Sequence, residues 1–288
     1  MSKVIQLFRL IRIHPLLWIV IALSIVTAHF QEICLLFAII FIHEMGHAAA
    51  ASFFSWRIQK ITLLPFGGVA EMDEHGNRPL IEEAIVVLAG PLQHVWMLAA
   101  AYGCFILHLV PEDLFQLFID YNFMILLFNL FPIWPLDGGK LIFLLLSLRI
   151  SFSEAHRLTL TISGISLCLF AFVIIIFAPT HINVWIIIAF LIFSLYHEWK
   201  HRRFIFMRFL MERYYGNKSS LRLLRPIQAN EQELVIDVLE KFQRGCKHPI
   251  IVKDGGREKG TLDENELLHA YFKENRLNDK LSDLLFSY

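Results

Sequence analysis

The sequence is poor in cysteine, and its few cysteines are scattered. None of the four belongs to a Cys-x-x-Cys pair, and three of them lie in strongly apolar segments; they are Cys34, Cys104, Cys168 and Cys246. This spacing argues against a disulfide framework and against a metal site built from thiolates. We expect the cysteines to be small buried hydrophobic residues.

The first 210 residues are also poor in charge. They carry 13 Lys/Arg and 13 Asp/Glu, whereas residues 219–288 alone carry 11 and 12. The whole chain is 56% hydrophobic with a mean hydropathy of +0.55, which is typical of membrane proteins. We predict an all-α membrane domain over residues 1–210, a linker over 211–218 and a small soluble α/β domain over 219–288. The net charge is zero and no basic stripe is present, which argues against nucleic-acid binding.

Six apolar segments are predicted to cross a lipid bilayer. They cover residues 15–31, 33–54, 84–110, 114–134, 158–178 and 182–199. The first is short, but Arg9 and Arg12 precede it and no small-residue cleavage site follows. We therefore expect a retained span and not a removed signal peptide.

The basic residues of the predicted membrane domain fall only in alternate loops. These residues are Lys3, Arg9 and Arg12; Arg57, Lys60 and Arg78; Lys140, Arg149 and Arg157; and the cluster that begins at Lys200. The loops near residue 32, at 111–113 and at 179–181 contain no Lys or Arg. Because positive charge favours the cytosolic side, both termini are predicted to be cytosolic.

One apolar segment has two histidines and a glutamate at its centre. His43, Glu44 and His47 form the pattern HEMGH within FAIIFIHEMGHAAAASFF. An ionisable group at mid-membrane costs about 2.5–3.5 kcal/mol, so it usually marks a functional site. On a helix, His43 and His47 share one face and suit a tetrahedral Zn²⁺, and Glu44 is placed to take a proton from water at the metal.

The same pattern occurs a second time, at the end of the last apolar segment. His197, Glu198 and His201 form HEWKH, flanked by aromatic residues and by Lys200, Arg202 and Arg203. Aromatic and cationic residues in this arrangement are typical of a helix end at the membrane surface, and a lysine inside the pattern opposes a dication. We interpret this second copy as structural.

A second acid lies close to the membrane in FNLFPIWPLDGGKLIF. Asp137 follows two helix-breaking prolines, Pro132 and Pro135, and precedes two glycines that allow close backbone approach. One explanation is a loop at the membrane edge, with Asp137 capping a helix over 140–148. The other is a metal site, since a catalytic zinc takes three protein ligands and His43, His47 and Asp137 supply that number.

The paired segments resemble the site-2 protease family of intramembrane zinc metalloproteases. HEMGH matches the family's HExxH, and Asn129, Pro135, Asp137 and Gly138 match its N…P-x-D-G segment. The resemblance implies a zinc endopeptidase with Glu44 as the general base and with Asn129 and Pro135 at the substrate. Asn129 is also explained by a hydrogen bond to unwound backbone.

Residues 57–73 alternate apolar and polar residues and contain Gly67-Gly68, which predicts a short hairpin near the cytosolic face. The segment is otherwise a simple connector. The resemblance implies that it adds an extended substrate as a neighbouring strand. Among the remaining histidines, His94 and His108 are expected to be packed or interfacial, and His14 is expected at the membrane edge.

The tail after residue 218 has a compact α/β pattern. A strand leads to Asn230 as the N-cap of a helix over 231–245, and a strand, a turn at Asp254-Gly255-Gly256, a second strand and a helix follow. This order resembles one CBS module, a type that commonly binds ATP or another adenine nucleotide. Glu266 is then the candidate for the ribose hydroxyls, whereas Asp263 would repel phosphates. About 70 residues are marginal for an independent core, so a homo-oligomer or packing on the membrane domain is expected.

The resemblance is to the branch with a C-terminal CBS domain, and within it to a sporulation protease. It implies cytosolic-side cleavage of a membrane-associated sigma-factor precursor in the mother-cell membrane around the forespore, under the control of membrane-bound inhibitory or regulatory proteins. Two other classes stay open from the residues alone. One is a CBS-regulated metal transporter, and the other is a membrane scaffold without metal in which His43 and Asp137 only bridge helices.

Overall fold

The computed structural model describes residues 11–13, 18, 30–56, 58–64, 67–72, 78–216 and 223–285. Within them the chain is mostly helical, with three small sheets of strand order β1-β2-β3, β4-β6 and β5-β7-β8. The helices are α1 (Phe30–Phe53), α2 (Leu80–Ile106), α3 (Glu112–Asn129), α4 (Asp137–Ser147), α5 (Phe152–Phe177), α6 (Ile182–Tyr215), α7 (Val235–Glu240), α8 (Glu264–Phe272) and α9 (Leu281–Leu285). The strands are β1 (Ile11–Ile13), β2 (Ile58–Leu64), β3 (Gly67–Met72), β4 (Leu223–Leu224), β5 (Ile227–Asn230), β6 (Cys246–Lys247), β7 (Ile250–Asp254) and β8 (Arg257–Leu262).

Four described helices, α1, α2, α5 and α6, are long and apolar enough to cross a membrane. They correspond to four of the six predicted spans. The span predicted at 15–31 lies almost entirely outside the described residues. The span predicted at 114–134 corresponds to α3, whose 18 residues include Glu112, Asp113 and Asp120, so its composition alone does not identify a span. Six spans are therefore not confirmed.

The prolines predicted to break the chain before Asp137 do so. Helix α3 ends at Asn129, residues 130–136 are irregular, and α4 starts at Asp137. A Cβ atom added to Gly138 would lie 2.2 Å from the Leu130 carbonyl oxygen. Gly139 is equally restricted by the backbone of Ile133, at 2.7 Å. The expected close approach at both glycines is confirmed, and it folds the break tightly against the start of α4.

The two paired strands of the hairpin predicted over 57–73 are confirmed, whereas its position near the cytosolic face stays a prediction. Strands β2 and β3 pair antiparallel, with Ile61 opposite Ala70, and β1 pairs parallel to β2, with Ile11 opposite Ile61. The sheet order is β1-β2-β3, which leaves β3 at one edge of this sheet. Helix α1 contacts both β2 and β3, so the hairpin lies against the helix that carries HEMGH.

The chain divides into two compact units. The first contains residues 1–74, 81–141 and 166–192. In it, α1, α2 and α3 pack around Ile39, Ile40, Met97 and Ile125. Helices α1 and α2 come close at Gly46, where an added Cβ would lie 2.5 Å from the Ala89 carbonyl oxygen. Large apolar side chains on the outer faces of the spanning helices are exposed, as expected where lipid replaces water.

The second unit contains residues 75–80, 142–165 and 193–288. Arg213, near the end of α6, is fully buried and pairs with Glu264 at the start of α8. Its guanidinium also donates to the Gln243 carbonyl oxygen at 2.6 Å and to the carbonyl oxygen of Cys246. These bonds hold the tail strands and helices to the last turns of α6. The predicted domain limits at 210 and 219 stay a prediction.

The tail has the predicted order of strand, helix, two strands and helix. Strand β7 pairs parallel to β5 and antiparallel to β8. The turn at Gly255 and Gly256 has φ values of +54° and +88°, which match a type I′ hairpin. The helix predicted over 231–245 is shorter, since α7 covers only Val235–Glu240. Asn230 instead accepts the Gln232 backbone N–H at 3.0 Å, so a turn precedes the helix and Asn230 is not its N-cap.

The prediction that all the cysteines are buried is wrong for three of them. Cys246 is buried in the tail, but Cys34 and Cys168 are exposed on α1 and α5, and Cys104 on α2 is only half-buried. Apolar residues on a spanning helix do not need burial within the protein, because the bilayer covers them. All four cysteines are free thiols.

Candidate metal centre

Three buried side chains converge at the middle of α1. His43 is 2% exposed and His47 is 6% exposed, and their Nε2 atoms are 3.1 Å apart because the residues lie one helical turn apart. The Oδ2 atom of Asp137, which is 3% exposed, lies 3.0 Å from the Nε2 of His43 and 3.1 Å from that of His47. The helix break at 130–136 brings this carboxylate from the start of α4 to α1.

The donor atoms of this cluster are suited to a metal ion. Nδ1 of His47 donates to the Val86 carbonyl oxygen at 2.8 Å, so its Nε2 atom presents a lone pair to the cluster. A carboxylate oxygen and imidazole lone pairs repel one another unless a cation lies between them. A tetrahedral zinc with bonds of about 2.0–2.1 Å places its ligand atoms about 3.3–3.4 Å apart, close to the spacing observed here. The three residues form a possible metal site.

Glu44 adjoins the cluster but is not part of the group of three. It is 7% exposed on α1, and its charge acts on both His47 and Lys140. Lys140 Nζ lies 3.2 Å from Oδ1 of Asp137, the oxygen that faces away from the histidines. Lys140, one turn after Asp137 on α4, thus binds the carboxylate oxygen that does not contact the histidines. The sequence interpretation missed Lys140, although its spacing of three residues from Asp137 indicates a contact.

Comparison with known proteins places this geometry in a family. The model of peptidase family M50 matches residues 31–111 and 106–173, which include all three members of the cluster. Stage IV sporulation protein FB of Bacillus subtilis is 47% identical over the full length of both chains. The chain belongs to peptidase family M50.

Further relatives agree with this assignment. A zinc metalloprotease of Methanocaldococcus jannaschii is 30% identical over 165 residues, which are 54% of this chain and 44% of the relative. The solved structure of a site-2 protease from the same organism superposes with a TM-score of 0.52 at 26% identity, over 65% of this chain and 89% of that one. This M50 peptidase is therefore a membrane metalloendopeptidase, and the transporter and scaffold classes are not favoured.

Gly90 of the peptidase lies directly against the two histidines. A Cβ atom at this position would lie 2.2 Å from Nε2 of His47 and 2.7 Å from Nε2 of His43. Only glycine leaves the space that the imidazole rings occupy. The sequence interpretation missed Gly90, and its signal is the Gly90-Pro91 pair inside an otherwise apolar helix.

His94 is packed, as expected, and it lies behind the centre. It is fully buried on α2, and its ring centroid is 5.1 Å from that of His43. Its Nε2 atom contacts Nδ1 of His43, the nitrogen that faces away from Asp137. The sequence interpretation missed this contact and the one from His94 to Asn122, because neither follows from spacing along the chain.

The two residues assigned to the substrate by resemblance lie at the helix break. Asn129 ends α3, and its Nδ2 donates to the Ile125 carbonyl oxygen at 3.0 Å, which lies within the same helix and not in unwound backbone. Pro135 is half-buried in the irregular segment that leads to Asp137. Both stand on the segment that carries the third member of the cluster.

The second HEWKH copy has different surroundings. Oε1 of Glu198 lies 3.1 Å from Nε2 of His156, which donates to it, and Nδ1 of His201 donates to the His197 carbonyl oxygen at 2.8 Å. The two rings stack with centroids 4.1 Å apart on α6, where His197 is exposed. These bonds give Glu198 and His201 structural partners.

In the tail, the two acids of the nucleotide hypothesis form a capping box at the start of α8. Glu266 accepts the backbone N–H of Asp263 at 2.8 Å, and Asp263 pairs with Lys247 at 2.9 Å. Burial disfavours the charged form of Asp263, but the hydrogen bond and charge of Lys247 outweigh it and lower its pKa. Glu266 is thus occupied by helix capping, and the ionised Asp263 opposes a phosphate nearby.

Proposed function

We propose that this chain is an intramembrane zinc endopeptidase that cuts a membrane-associated precursor protein on the cytosolic side of the membrane. The observation that carries the proposal is the convergence of His43, His47 and Asp137 within 3.0–3.1 Å of one another on apolar, membrane-type helices. In this proposal the three side chains are the zinc ligands and Glu44 is the general base.

Bound zinc would lower the pKa of a water molecule to about 7 and polarise the carbonyl of the scissile peptide bond. Glu44 then accepts a proton from the attacking water and passes it to the leaving amine. Lys140 keeps the outer oxygen of Asp137 engaged, so the inner oxygen stays directed at the histidines. Burial of these groups excludes bulk water and strengthens their electrostatic interactions.

A substrate must be unwound before its peptide bond is accessible, because helical backbone is closed to attack. Strand β3 is an edge of its sheet within the described residues, and α1 lies against it. An extended segment that pairs with β3 would be held beside the helix that carries His43. Asn129 and Pro135, on the segment leading to Asp137, are placed to contact the same substrate strand.

The proposed topology has six spans with both termini cytosolic. The 24 residues of α1 span about 36 Å, and His43 lies about 15 Å from its end at Phe53. The charged loops that follow α1 and precede α5 are the cytosolic ones in this scheme. The pocket would open to cytosolic water, so cleavage releases the cytosolic part of the substrate.

The 47% identity with stage IV sporulation protein FB over both full lengths supports a role in sporulation. We propose a sigma-factor precursor as substrate, a location in the mother-cell membrane around the forespore, and control by membrane-bound inhibitory or regulatory proteins. For the tail, we propose a CBS-like domain that supports a homo-oligomer or responds to an adenine nucleotide. Calorimetry of the full-length protein with ATP, with Glu266→Ala as the variant, tests the nucleotide part.

The proposed function is tested by measuring zinc in the purified full-length protein and by mapping the product terminus. One zinc per chain is expected in the wild type, with loss of zinc in Asp137→Ala. The cut is expected in the cytosolic half of the substrate's membrane segment. A chain that binds no zinc would overturn the enzyme mechanism, and a cut in the opposite half would overturn the topology.

A further inference from the structure

Two buried side chains that the proposed reaction does not use are connected to the metal centre through His43. They are His94 on α2 and Asn122 on α3, and both are 0% exposed. Nε2 of His94 lies 3.0 Å from Nδ1 of His43, and Nδ1 of His94 lies 2.9 Å from Oδ1 of Asn122. These contacts form one continuous chain of hydrogen bonds from α3 to His43.

The direction of these hydrogen bonds follows from the orientation of Asn122, whose Oδ1 faces His94, while its buried Nδ2 has no hydrogen-bond partner among the described residues. An amide oxygen can only accept, so Nδ1 of His94 carries the hydrogen that it donates to Asn122. A neutral imidazole has a single N–H, so Nε2 of His94 is an acceptor. Nδ1 of His43 therefore donates to it, and Nε2 of His43 keeps a lone pair directed at the centre.

The opposite direction would disfavour metal binding at His43. If residue 122 presented a donor to His94, the hydrogen on each ring would move to the other nitrogen. Nε2 of His43 would then carry a hydrogen toward Asp137, and this nitrogen could not act as a ligand. The acceptor at position 122 thus decides which nitrogen of His43 is available.

The two histidines of HEMGH differ in how this choice is made. His47 donates from Nδ1 to the backbone oxygen of Val86, which no substitution of a side chain removes. His43 depends on two side chains from two other helices. The metal-binding nitrogen of His47 is therefore selected by a backbone oxygen. That of His43 is selected by side chains, which a substitution can remove.

We propose that Asn122 and His94 are positioning residues that select the metal-binding nitrogen of His43. The inference rests on the proposed function, since it takes His43 as a zinc ligand. Groups that hydrogen-bond to a ligating histidine typically change metal affinity 10–100-fold when they are removed. We expect a loss of about that size when either residue is replaced by leucine.

The test measures zinc affinity of the full-length protein in bilayer nanodiscs, by competition with a chromophoric chelator. Asn122→Leu and His94→Leu are expected to bind zinc about 10–100-fold more weakly. Asn122→Asp keeps an acceptor oxygen, and His94→Gln can offer an amide oxygen directly to His43. Both conservative variants should bind zinc clearly more tightly than their leucine counterparts.

The double variant distinguishes two explanations of weaker zinc binding. In the first, Asn122 acts through His94 on His43, an arrangement that we call the relay. In the second, each substitution disturbs packing independently. If both residues act on the same hydrogen of His43, the combination of His94→Leu and Asn122→Leu should bind zinc no more weakly than the weaker single variant. Thr159→Val is the matched control, because Thr159 is also fully buried and donates to a carbonyl oxygen, that of Ala155 at 2.8 Å. It should bind zinc like the wild type.

The outcomes distinguish this inference from the proposed function. A wild type without zinc would contradict the proposed function itself. If the wild type binds zinc and His47→Ala abolishes binding, but both leucine variants bind like Thr159→Val, the relay is wrong and the metal site stands. Additive losses in the double variant, or a loss in Asn122→Asp equal to that in Asn122→Leu, would also overturn the relay.

Discussion

The pattern His-Glu-x-x-His occurs twice in this chain, and the two copies have the same spacing in different surroundings. On α1, His43 and His47 are buried with ring centroids 4.8 Å apart. On α6, the rings of His197 and His201 are 4.1 Å apart, and His197 is exposed. The spacing alone therefore brings two imidazoles together in both places, as the geometry of a helix requires.

The difference lies in what other helices contribute to each copy. The first copy receives the Asp137 carboxylate from α4 and open space from Gly90 on α2. In the second copy, the glutamate itself is bonded to His156 on α5. A metal centre thus needs a third ligand, room for the ion and a glutamate whose carboxylate has no structural partner. The His-Glu-x-x-His pattern alone guarantees none of these three conditions.

The largest expected effect is on catalysis, at Glu44. Because Glu44 is proposed as the base and not as a ligand, Glu44→Gln should keep zinc and lower the cleavage rate by about 10²–10⁴-fold or more. His43→Ala and His47→Ala should lose both zinc and activity. Zinc content by mass spectrometry and cleavage of the precursor in a reconstituted membrane provide the measurements. Near wild-type cleavage by Glu44→Gln would mean that Glu44 is not the base.

A smaller effect is expected at Gly90, which gives the first copy its space. Gly90→Ala places a Cβ 2.2 Å from Nε2 of His47 before any relaxation. Overpacking of this kind costs about 1–3 kcal/mol, which would correspond to about fivefold to 150-fold weaker zinc binding if the whole cost falls on the bound state. Gly103→Ala on the same helix is the control, since its Cβ would have no neighbour within 4 Å. Equal zinc affinity in the two variants would show that the space at Gly90 is not required.

Much of this centre was predicted from the sequence, because its parts are local patterns. HEMGH, the proline break and the Gly138-Gly139 pair each follow from short-range rules of helix geometry. Gly90, Asn122 and the contact of His94 with His43 were missed, because they depend on which helix faces meet, and apolar helices offer little periodicity for predicting that. In the tail, the order of strands and turns was predicted correctly. Asn230 was wrongly assigned as the N-cap of a helix that begins only at Val235, because asparagine favours a turn as well as a helix N-cap.

The role of Glu198 gives a further test, because the glutamate of the second copy is proposed to act in stability alone. Glu198→Leu removes the hydrogen bond that His156 makes to Glu198, and the side chain of His156 is 5% exposed. The expected cost is about 1 kcal/mol of unfolding free energy, the usual net contribution of one hydrogen bond, because Glu198 itself is 19% exposed. Thermal unfolding in detergent should show the loss, while zinc content and cleavage per folded molecule stay unchanged. Loss of zinc would give this glutamate the function that we assign only to the first copy.

The smallest effect is expected from removing the histidines of the second copy together. His197→Ala with His201→Ala leaves the bond between Glu198 and His156 in place and deletes two rings on the surface of α6. Surface substitutions of this kind usually change stability by less than about 0.5 kcal/mol. Zinc content should equal that of the wild type, whereas the matched pair His43→Ala with His47→Ala should contain none. If zinc falls in the α6 variant instead, the third ligand from α4 would not be what separates a metal centre from a pair of neighbouring histidines.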